Sequence, residues 1–152
     1  MSTSGNMLGD STNTTNVLAY IENTFAPTVT LVGGAGNVVP VYTTNTGRYT
    51  RIGNRVFVDI LLAGDAGQEG AGTGVFSVAL PIAANASHPI YFFPAGSFAN
   101  GTAENPIWGQ ILGSATVIDF AYVDVLNNFT VMSGADQSDV TRWMRLKFDY
   151  EV

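Results

Sequence analysis

Apolar and polar side chains alternate most regularly after residue 54, where every second position is apolar: Val56, Val58, Ile60 and Leu62. Because successive side chains of a strand point to opposite sides of a sheet, this period of two predicts a β-strand with one buried face. The pair Gly53-Asn54 precedes the strand and suits the positive φ angles of a tight hairpin turn. Residues 46–63 therefore predict a β-hairpin, which we interpret as the candidate folding nucleus.

The last ten residues show the same alternation. The side chains predicted to face inward are Met144, Leu146, Phe148 and Tyr150. Those predicted to face outward are Trp143, Arg145, Lys147, Asp149 and Glu151. An apolar inner face with a polar outer face is typical of a strand in an antiparallel sheet that has one solvated side.

Further strand-like segments fill the rest of the chain, at residues 28–32, 38–43, 75–80, 90–95, 107–112, 116–125 and 129–132. Pro40 predicts that its segment lies at a sheet edge or at a bulge. Residues 64–74 contain five glycines. They predict a mobile connection, because no Lys-Ser/Thr pair follows them as in a phosphate-binding loop. Nine or ten short strands without a long helix predict an all-β fold, an antiparallel β-sandwich of jelly-roll type.

The N-terminal part of the chain has a different character. Residues 1–16 are rich in Ser, Thr, Asn and Gly, and they offer little that could build a core. Residues 17–25 fit either a short helix or an extended clasp, which Pro27 ends. The predicted organisation is an extended N-terminal arm, residues 1–26, followed by a β-sandwich domain, residues 27–152. The chain does not open with the basic and apolar segments of a secretion signal, so we expect synthesis in a cytoplasm.

Composition and charge narrow the classes of function. Charged residues make up 12% of the 152 residues, about half the usual share. Charged residues are depleted at the centre of interfaces, so this scarcity favours a chain that oligomerises. No apolar run approaches the ~18 residues of a membrane span, which argues against membrane insertion. The net charge of −6 argues against nucleic acid as a partner, because phosphates require a basic face.

The six basic residues form two short clusters, Arg48, Arg51 and Arg55, and Arg142, Arg145 and Lys147. The favoured interpretation is that they pair on a solvent face with Asp59, Asp149 and Glu151, since exposed ion pairs are common and contribute little. The alternative is a small positive patch for an acidic sugar or for a partner's carboxylates.

A family resemblance lies in the hairpin. The segment Gly47-Arg-Tyr-Thr-Arg-Ile-Gly-Asn-Arg-Val-Phe-Val58 resembles the G-x-Y-x-K/R-I/V-G-N/D-x-V-x-V signature of small β-sandwich domains in bacteriophage virion proteins. Pro27-Thr-Val-Thr-Leu-Val-Gly33 and Phe76-Ser-Val-Ala-Leu-Pro81 follow the order of the flanking family strands. The resemblance covers about residues 27–82. It implies a domain that decorates capsids or forms the tip of a tail fibre, where it contacts glycans, usually as a homotrimer.

Two functions follow from this resemblance. The chain has no heptads or internal repeat for a fibre shaft, so we expect a capsid decoration (cement) protein on the exterior of the virion. Its partners would be copies of itself and the major capsid protein. The apolar residues of the arm are the expected contacts with the shell or with other subunits: Met7, Leu8, Val17, Leu18, Tyr20, Ile21 and Phe25. The alternative is a receptor-binding fibre tip that recognises a host glycan through Trp108, Tyr91 and Trp143, since sugars stack on exposed rings.

Residues for catalysis or metal binding are sparse. His88 is the single histidine, cysteine is absent, and no G-x-S-x-G elbow occurs. Asp65 and Glu69 do not match the spacing of a calcium loop. Paired carboxylates exist at Asp136/Asp139 and Asp119/Asp124, but nothing in the sequence places them across a cleft. We therefore expect neither an enzyme nor a bound cofactor or metal.

Overall fold

The computed structural model describes residues 20–64, 68–85, 87, 90–112, 115–124 and 126–152. These residues form one 3-10 helix, Gly134–Gln137, and ten β-strands: β1 (Tyr20–Phe25), β2 (Val29–Val32), β3 (Thr44–Ile52), β4 (Arg55–Ala63), β5 (Val75–Ala79), β6 (Ile90–Asn100), β7 (Ala103–Ile111), β8 (Val117–Val123), β9 (Phe129–Val131) and β10 (Trp143–Glu151). The predicted all-β, antiparallel class is confirmed. In this part of the chain, no helix has the length and apolar character to cross a membrane.

All ten strands belong to one antiparallel sheet with the order β1-β3-β4-β10-β6-β7-β8-β5-β2, and β9 pairs with β8. The two ends of this order, β1 and β2, are consecutive in the chain and are joined by residues 26–28. Such a link spans at most about 15 Å, so the sheet must curl until its two edges approach each other. The Asn45 side-chain amide donates to the Pro27 carbonyl (2.9 Å), and the Ala79 amide donates to the Thr28 carbonyl (2.8 Å). The link is thus bonded to both halves of the sheet.

The predicted hairpin is present as β3 and β4. Gly53 has a φ angle of 62°, whereas Asn54 is not in the positive-φ region, which matches a type II′ turn with glycine at its first central position. The alternating apolar residues of β4 are buried, as predicted: Val56, Val58, Ile60 and Leu62.

Strand β10 lies at the centre of the sheet order. It pairs with β4 along its whole length and with β6 from Trp143 to Leu146. Its inner side chains are buried in one apolar core with β4 and the opposite strands, and the predicted inner and outer sets are both confirmed. The outer side chains of β10 are therefore held on a strand that is paired on both sides from Trp143 to Leu146 and with β4 beyond that.

Two predictions for the first half of the chain are corrected. Residues 38–43 form no strand, because their backbone contacts are to a loop: Val38 forms an isolated bridge with Ala71, and the Val41 amide donates to the Gln68 carbonyl (2.8 Å). The helical alternative for residues 17–25 is wrong where the chain is described, because Tyr20–Phe25 is a strand that pairs with β3. Residues 17–19 lie outside the described residues.

The described part of the glycine-rich connection contacts other segments of the chain, and its mobility stays a prediction. Residues 65–67 lie outside the described residues, but residues 68–74 are bonded to neighbouring segments. The Gly70 amide donates to the Gln137 carbonyl (2.8 Å), and a Cβ at Gly70 would lie 2.4 Å from the Gly134 oxygen. Glycine is required there because two backbone segments pass close to each other.

Strands β6 and β7 form a longer hairpin than the predicted segments 90–95 and 107–112. The prolines inside it are tolerated because neither interrupts a ladder on both sides. Pro94 pairs with β7 at a position that β10 does not reach, and Pro106 precedes the residues of β7 that pair with β8. Register shifts between Ile90 and Phe93, and again between Pro94 and Gly96, mark β-bulges.

Candidate functional site

The first candidate site is the outer face of the four strands β1, β3, β4 and β10, which we call the charged face. Pairing of these strands places their outward side chains in rows across the sheet. One row contains Glu22, Thr50, Phe57 and Asp149, and the next contains Thr24, Arg48, Asp59 and Lys147. A surface so rich in charge stands out in a chain with few charged residues.

Two ion pairs lie on the charged face. Arg48 Nη2 lies 3.3 Å from Asp59 Oδ2, and Arg55 binds Asp149 Oδ2 through both Nε (2.6 Å) and Nη2 (2.5 Å). These pairs confirm the predicted pairing of basic residues with Asp59 and Asp149. Because their side chains are exposed, each pair contributes at most about 1 kcal/mol to stability.

Arg142 departs from this prediction. Its side chain is only 1% exposed, and it donates to backbone carbonyls instead of pairing on the solvent face. The guanidinium carbon also lies 5.5 Å from the centre of the Tyr42 ring. Arg142 is therefore a core residue and takes no part in the charged face.

The charged face contains a groove of about 360 Å³ between β1 and β10. Glu22, Phe57, Asp59, Lys147 and Asp149 are among the residues that line it. Phe57 is 44% exposed and gives the groove an apolar centre between charges of both signs. A centre of this kind with a charged margin is typical of a protein interaction surface.

Along β10 the outward charges follow a simple order. Arg145 and Lys147 come first, and Asp149 and Glu151 follow. The Arg145 guanidinium lies 5.2 Å from the ring centre of Trp143, which is half-buried. A candidate glycan platform at Trp143 therefore already carries a cation–π contact within its own strand.

The second candidate site is an aromatic cluster, Phe92, Trp108 and Phe129, on the outer side of β6, β7 and β9. The Phe92 and Phe129 rings meet edge to face with centres 4.7 Å apart, and Trp108 lies 5.9 Å from Phe129. Phe92 is 51% and Phe129 is 47% exposed. Phe92 has a φ angle of 46° within the bulge of β6, an uncommon conformation for a bulky residue, and this conformation accompanies its outward position.

A smaller pocket of about 160 Å³ adjoins the aromatic cluster. Phe92, Gln110, Asp119 and Val131 are among its lining residues, and Asp119 accepts a hydrogen bond from Ser77 Oγ (2.6 Å). Of the residues predicted for glycan binding, the structure places Trp108 in the aromatic cluster, which reaches this pocket through Phe92. It places Trp143 on a different face, and the Tyr91 side chain is outside the described part. Phe129 was not predicted, because its approach to Trp108 depends on the pairing of β9 with β8.

The residues predicted for shell or subunit contacts fall into three groups. Met7, Leu8, Val17 and Leu18 lie outside the described residues. Tyr20 and Ile21 are exposed on the edge strand β1. Phe25 is half-buried against its own chain, with its ring centre 6.2 Å from that of Tyr49 and its ring directly over Gly47. Phe25 therefore helps to hold β1 on the sheet.

The carboxylates considered for catalysis are mostly engaged in turns. His88 and Asp65 lie outside the described residues. Hydrogen bonds from the Asn128 and Leu126 amides lower the pKa of Asp124, and those from the Thr141 amide and hydroxyl lower the pKa of Asp139. Asp136 accepts from the Tyr122 hydroxyl (2.7 Å), and burial followed by this contact raises the pKa of Tyr122 to about 12. Within the described ranges, no three acidic or histidine side chains gather as a metal site would require.

Comparison with protein families found no matching family model, and comparison with curated proteins found no significant relative. The resemblance to phage virion domains therefore rests on the hairpin motif and its flanking strands.

Proposed function

We propose that this chain is a structural protein of a bacteriophage particle, a capsid decoration protein that binds the outer shell as a homo-oligomer and stabilises it. The observation that carries the proposal is the exposure of large apolar side chains in a chain with few charges. They include Tyr20 and Ile21 on β1, Ile52 at the hairpin tip, and Val38, Val39 and Val41. Exposed apolar groups of this kind favour burial against other subunits.

The fold is compatible with this role. We propose that the curled sheet is a flattened, jelly-roll-like sandwich, since its two edges approach each other at residues 26–28 and a single core lies within. The motif that resembles phage virion domains, Gly47–Val58, forms the β3–β4 hairpin and its type II′ turn. A trimeric state and the major capsid protein as partner come from the resemblance.

The edge strand β1 suggests where contacts could form. It carries one charged residue, Glu22, and no lysine or proline, the residues that often protect sheet edges from further pairing. We propose that β1 and the polar segment before it, the predicted arm of residues 1–26, lie against the shell or a neighbouring subunit. Segments that become ordered on binding gain reach, at a cost in affinity per unit of area.

A truncation tests this assignment. Deletion of residues 1–16 is expected to abolish binding to undecorated shells in a co-sedimentation assay, and light scattering should show an unchanged oligomer. The matched full-length control carries Ile21→Ser, which removes one apolar contact and is expected to weaken binding to a smaller degree. Full shell affinity of the truncated protein would show that the arm does not carry the contact.

A second candidate function is favoured by the aromatic cluster. Rings framed by amide and carboxylate groups are suited to sugars. Phe92, Gln110 and Asp119 provide these groups around one pocket, and Trp108 lies beside it in the aromatic cluster. In this case the chain would be a receptor-binding fibre tip that recognises a host cell-surface glycan. Saturable binding on a glycan array, lost in Trp108→Ala and kept in Trp143→Ala, would support it.

One observation separates the two functions. Antibodies against the protein, used in electron microscopy of purified particles, would label the heads if the chain is a decoration protein. Labels at the fibre tips would replace the first proposal by the second. Particles without any label would contradict both.

A further inference from the structure

The outward charges of β10 are self-complementary, and their cross-strand contacts with β4 leave Lys147 without an ion-pair partner in the described part of the chain. The strand presents two cations, Arg145 and Lys147, followed by two anions, Asp149 and Glu151, all on one face. The buried residues between them would form the same core with any arrangement of these charges. A second β10 laid antiparallel across the first would place cations opposite anions along the whole row.

We propose that two copies of this chain pair face to face through the charged face, with their β10 strands antiparallel about a two-fold axis near Phe148. The positions of the charges set this register. Residues 147 and 149 are equally far from residue 148, and so are residues 145 and 151, so a two-fold axis there places each cation opposite an anion. Lys147 then lies opposite the partner's Asp149, and Arg145 lies opposite the partner's Glu151. The symmetry doubles each contact, which gives four ion pairs in all.

The existing ion pair on Asp149 is compatible with this contact. Both Arg55 nitrogens bind the Oδ2 oxygen of Asp149. A carboxylate has about four acceptor positions on its two oxygens, so it can accept a second cation. Lys147 has no ion-pair partner within salt-bridge distance in the described part of its own chain, although Asp59 is its neighbour in register.

The surroundings of β10 also suit a protein partner. On the β4 side, Phe57 and Leu61 stand in register with Asp149 and Arg145 and provide apolar surface between the charges. On the β6 side, Ala99 and Ser97 stand beside Trp143 and Arg145 and are too small to block access. Side chains of the second copy would fill the groove of about 360 Å³ that Phe57, Lys147 and Asp149 line. An apolar centre within a charged margin is the usual anatomy of an interface.

This contact does not rest on the proposed function. A two-fold contact gives a dimer, or a pair of rings if the chain also forms trimers through another surface. Loss of the β10 contact would change the oligomer in solution. Failure of the decoration proposal would appear as absent binding to shells, so the two outcomes can be told apart.

Charge reversal gives a sharp test. The acidic variant Arg145→Glu/Lys147→Glu and the basic variant Asp149→Lys/Glu151→Lys should each raise the dissociation constant of the contact at least about tenfold in sedimentation velocity experiments, because like charges then face each other. An equimolar mixture of the two variants should associate again as heterodimers. The variant with all four changes restores the order of opposite charges in reverse and should pair like the wild type.

The four-fold variant is also the control for folding and net charge, since its net charge equals that of the wild type. Circular dichroism and thermal unfolding of each variant show whether it folds. Wild-type association should weaken in 1 M salt, where the Debye length is about 3 Å. A wild type that is monomeric at millimolar concentration would overturn the proposal. So would association that is unchanged in both double variants, or a mixture of them that fails to pair.

Discussion

Arg142 offers the most decisive test of how this fold is held together. Its Nη1 donates to the Asp139 carbonyl (2.9 Å), and its Nη2 donates to the carbonyls of Gln68 (2.7 Å) and Val41. No carboxylate lies within salt-bridge distance of it in the described part of the chain. One guanidinium thus joins three separate loops, none of which has a regular strand partner at that point.

The perturbation is Arg142→Met, which keeps most of the apolar volume and removes every donor. The carbonyls of Asp139 and Val41 would lose a charged donor, and a buried polar group left unsatisfied costs about 1–3 kcal/mol. The Gln68 carbonyl would keep the hydrogen bond from the Val41 amide. The desolvation cost of the buried cation is removed at the same time, and Nε has no hydrogen-bond partner even in the wild type. We therefore expect a net loss of about 2–4 kcal/mol in the free energy of unfolding, below the simple sum.

Urea unfolding followed by the fluorescence of the neighbouring Trp143 measures this loss. In a domain of this size, about 2–4 kcal/mol corresponds to a drop of roughly 10 °C in Tm. Arg142→Lys should lose less, because one ammonium can reach some of the carbonyls but not in the same planar arrangement. Lys147→Met is the matched control, an exposed cation on the adjoining strand. Measured at a concentration where the β10 contact is dissociated, it should change the free energy of unfolding by no more than about 0.5 kcal/mol.

A small effect would refute this reasoning. If Arg142→Met unfolds within about 1 kcal/mol of the wild type and with the same urea dependence, the carbonyls of Asp139 and Val41 must find water or other donors without it. Arg142 would then contribute little to stability, and other contacts would hold the loops together. A large loss in Lys147→Met would also contradict it, because the effect would then reflect total charge.

Three further predictions follow from the described contacts. Gly47→Ala would place a Cβ within about 2.6 Å of the Phe25 ring. We expect a loss of about 1–3 kcal/mol in the free energy of unfolding and faster hydrogen exchange in β1. Unchanged exchange would mean that Phe25 does not hold the strand. Asn45→Ala removes the hydrogen bond to the Pro27 carbonyl in the link between the sheet edges. It should lower the free energy of unfolding by about 1 kcal/mol, measured by urea unfolding. No change would mean that other contacts hold the link in place. Burial raises the pKa values of Tyr122 and Tyr150 to about 12, above the unfolded value near 10, so stability is complete below pH 10 and falls as the pH rises towards 12. In Tyr122→Phe this alkaline loss of stability should be smaller, and an unchanged pH profile would assign it to other groups.

The hairpin and β10 could be predicted because their signal is local. In both segments one face is apolar at every second residue, and a slip by one residue would expose the whole set. The turn at Gly53 fixes the register of β3 against β4, so the neighbours of Val56 and Val58 follow from the sequence alone. The confirmed inner and outer sets of β10 follow from the same period.

Residues 38–43 show where local pattern fails. Their valines have the composition of a strand, but a strand exists only where a neighbour accepts and donates its backbone hydrogen bonds. The segment meets a loop at residues 68–71 and forms a single bridge. Composition carries no information about which segment lies alongside, so the prediction was wrong for a physical reason.

The length of β6 was missed for a related reason. Pro94 and Gly96 end a strand on most sequence criteria, yet here both lie within β6 at bulges. A Cβ at Gly96 would lie 2.0 Å from the Arg145 carbonyl oxygen, so the glycine allows β6 to approach β10 closely. Gly96 therefore reads in the sequence as the end of a strand, whereas in the structure it is a close contact between β6 and β10. Only the position of β10 shows this.

The two candidate sites differ in how they depend on the fold. The aromatic cluster needs three strands and a bulge to bring its rings together. The sequence could therefore suggest Trp108 as a binding residue, but it could not show that Phe92 and Phe129 lie beside it. The charged row of β10 needs only the period of the strand, because alternate residues share a face wherever β10 lies. Burial of Met144, Leu146, Phe148 and Tyr150 fixes which face that is. Folding thus accounts for the presence of polar residues on the outer face, and the ion pair of Asp149 with Arg55 accounts for part of their order. The row of two cations followed by two anions is also complementary to a second copy of itself, and the charge-reversal variants test that contact.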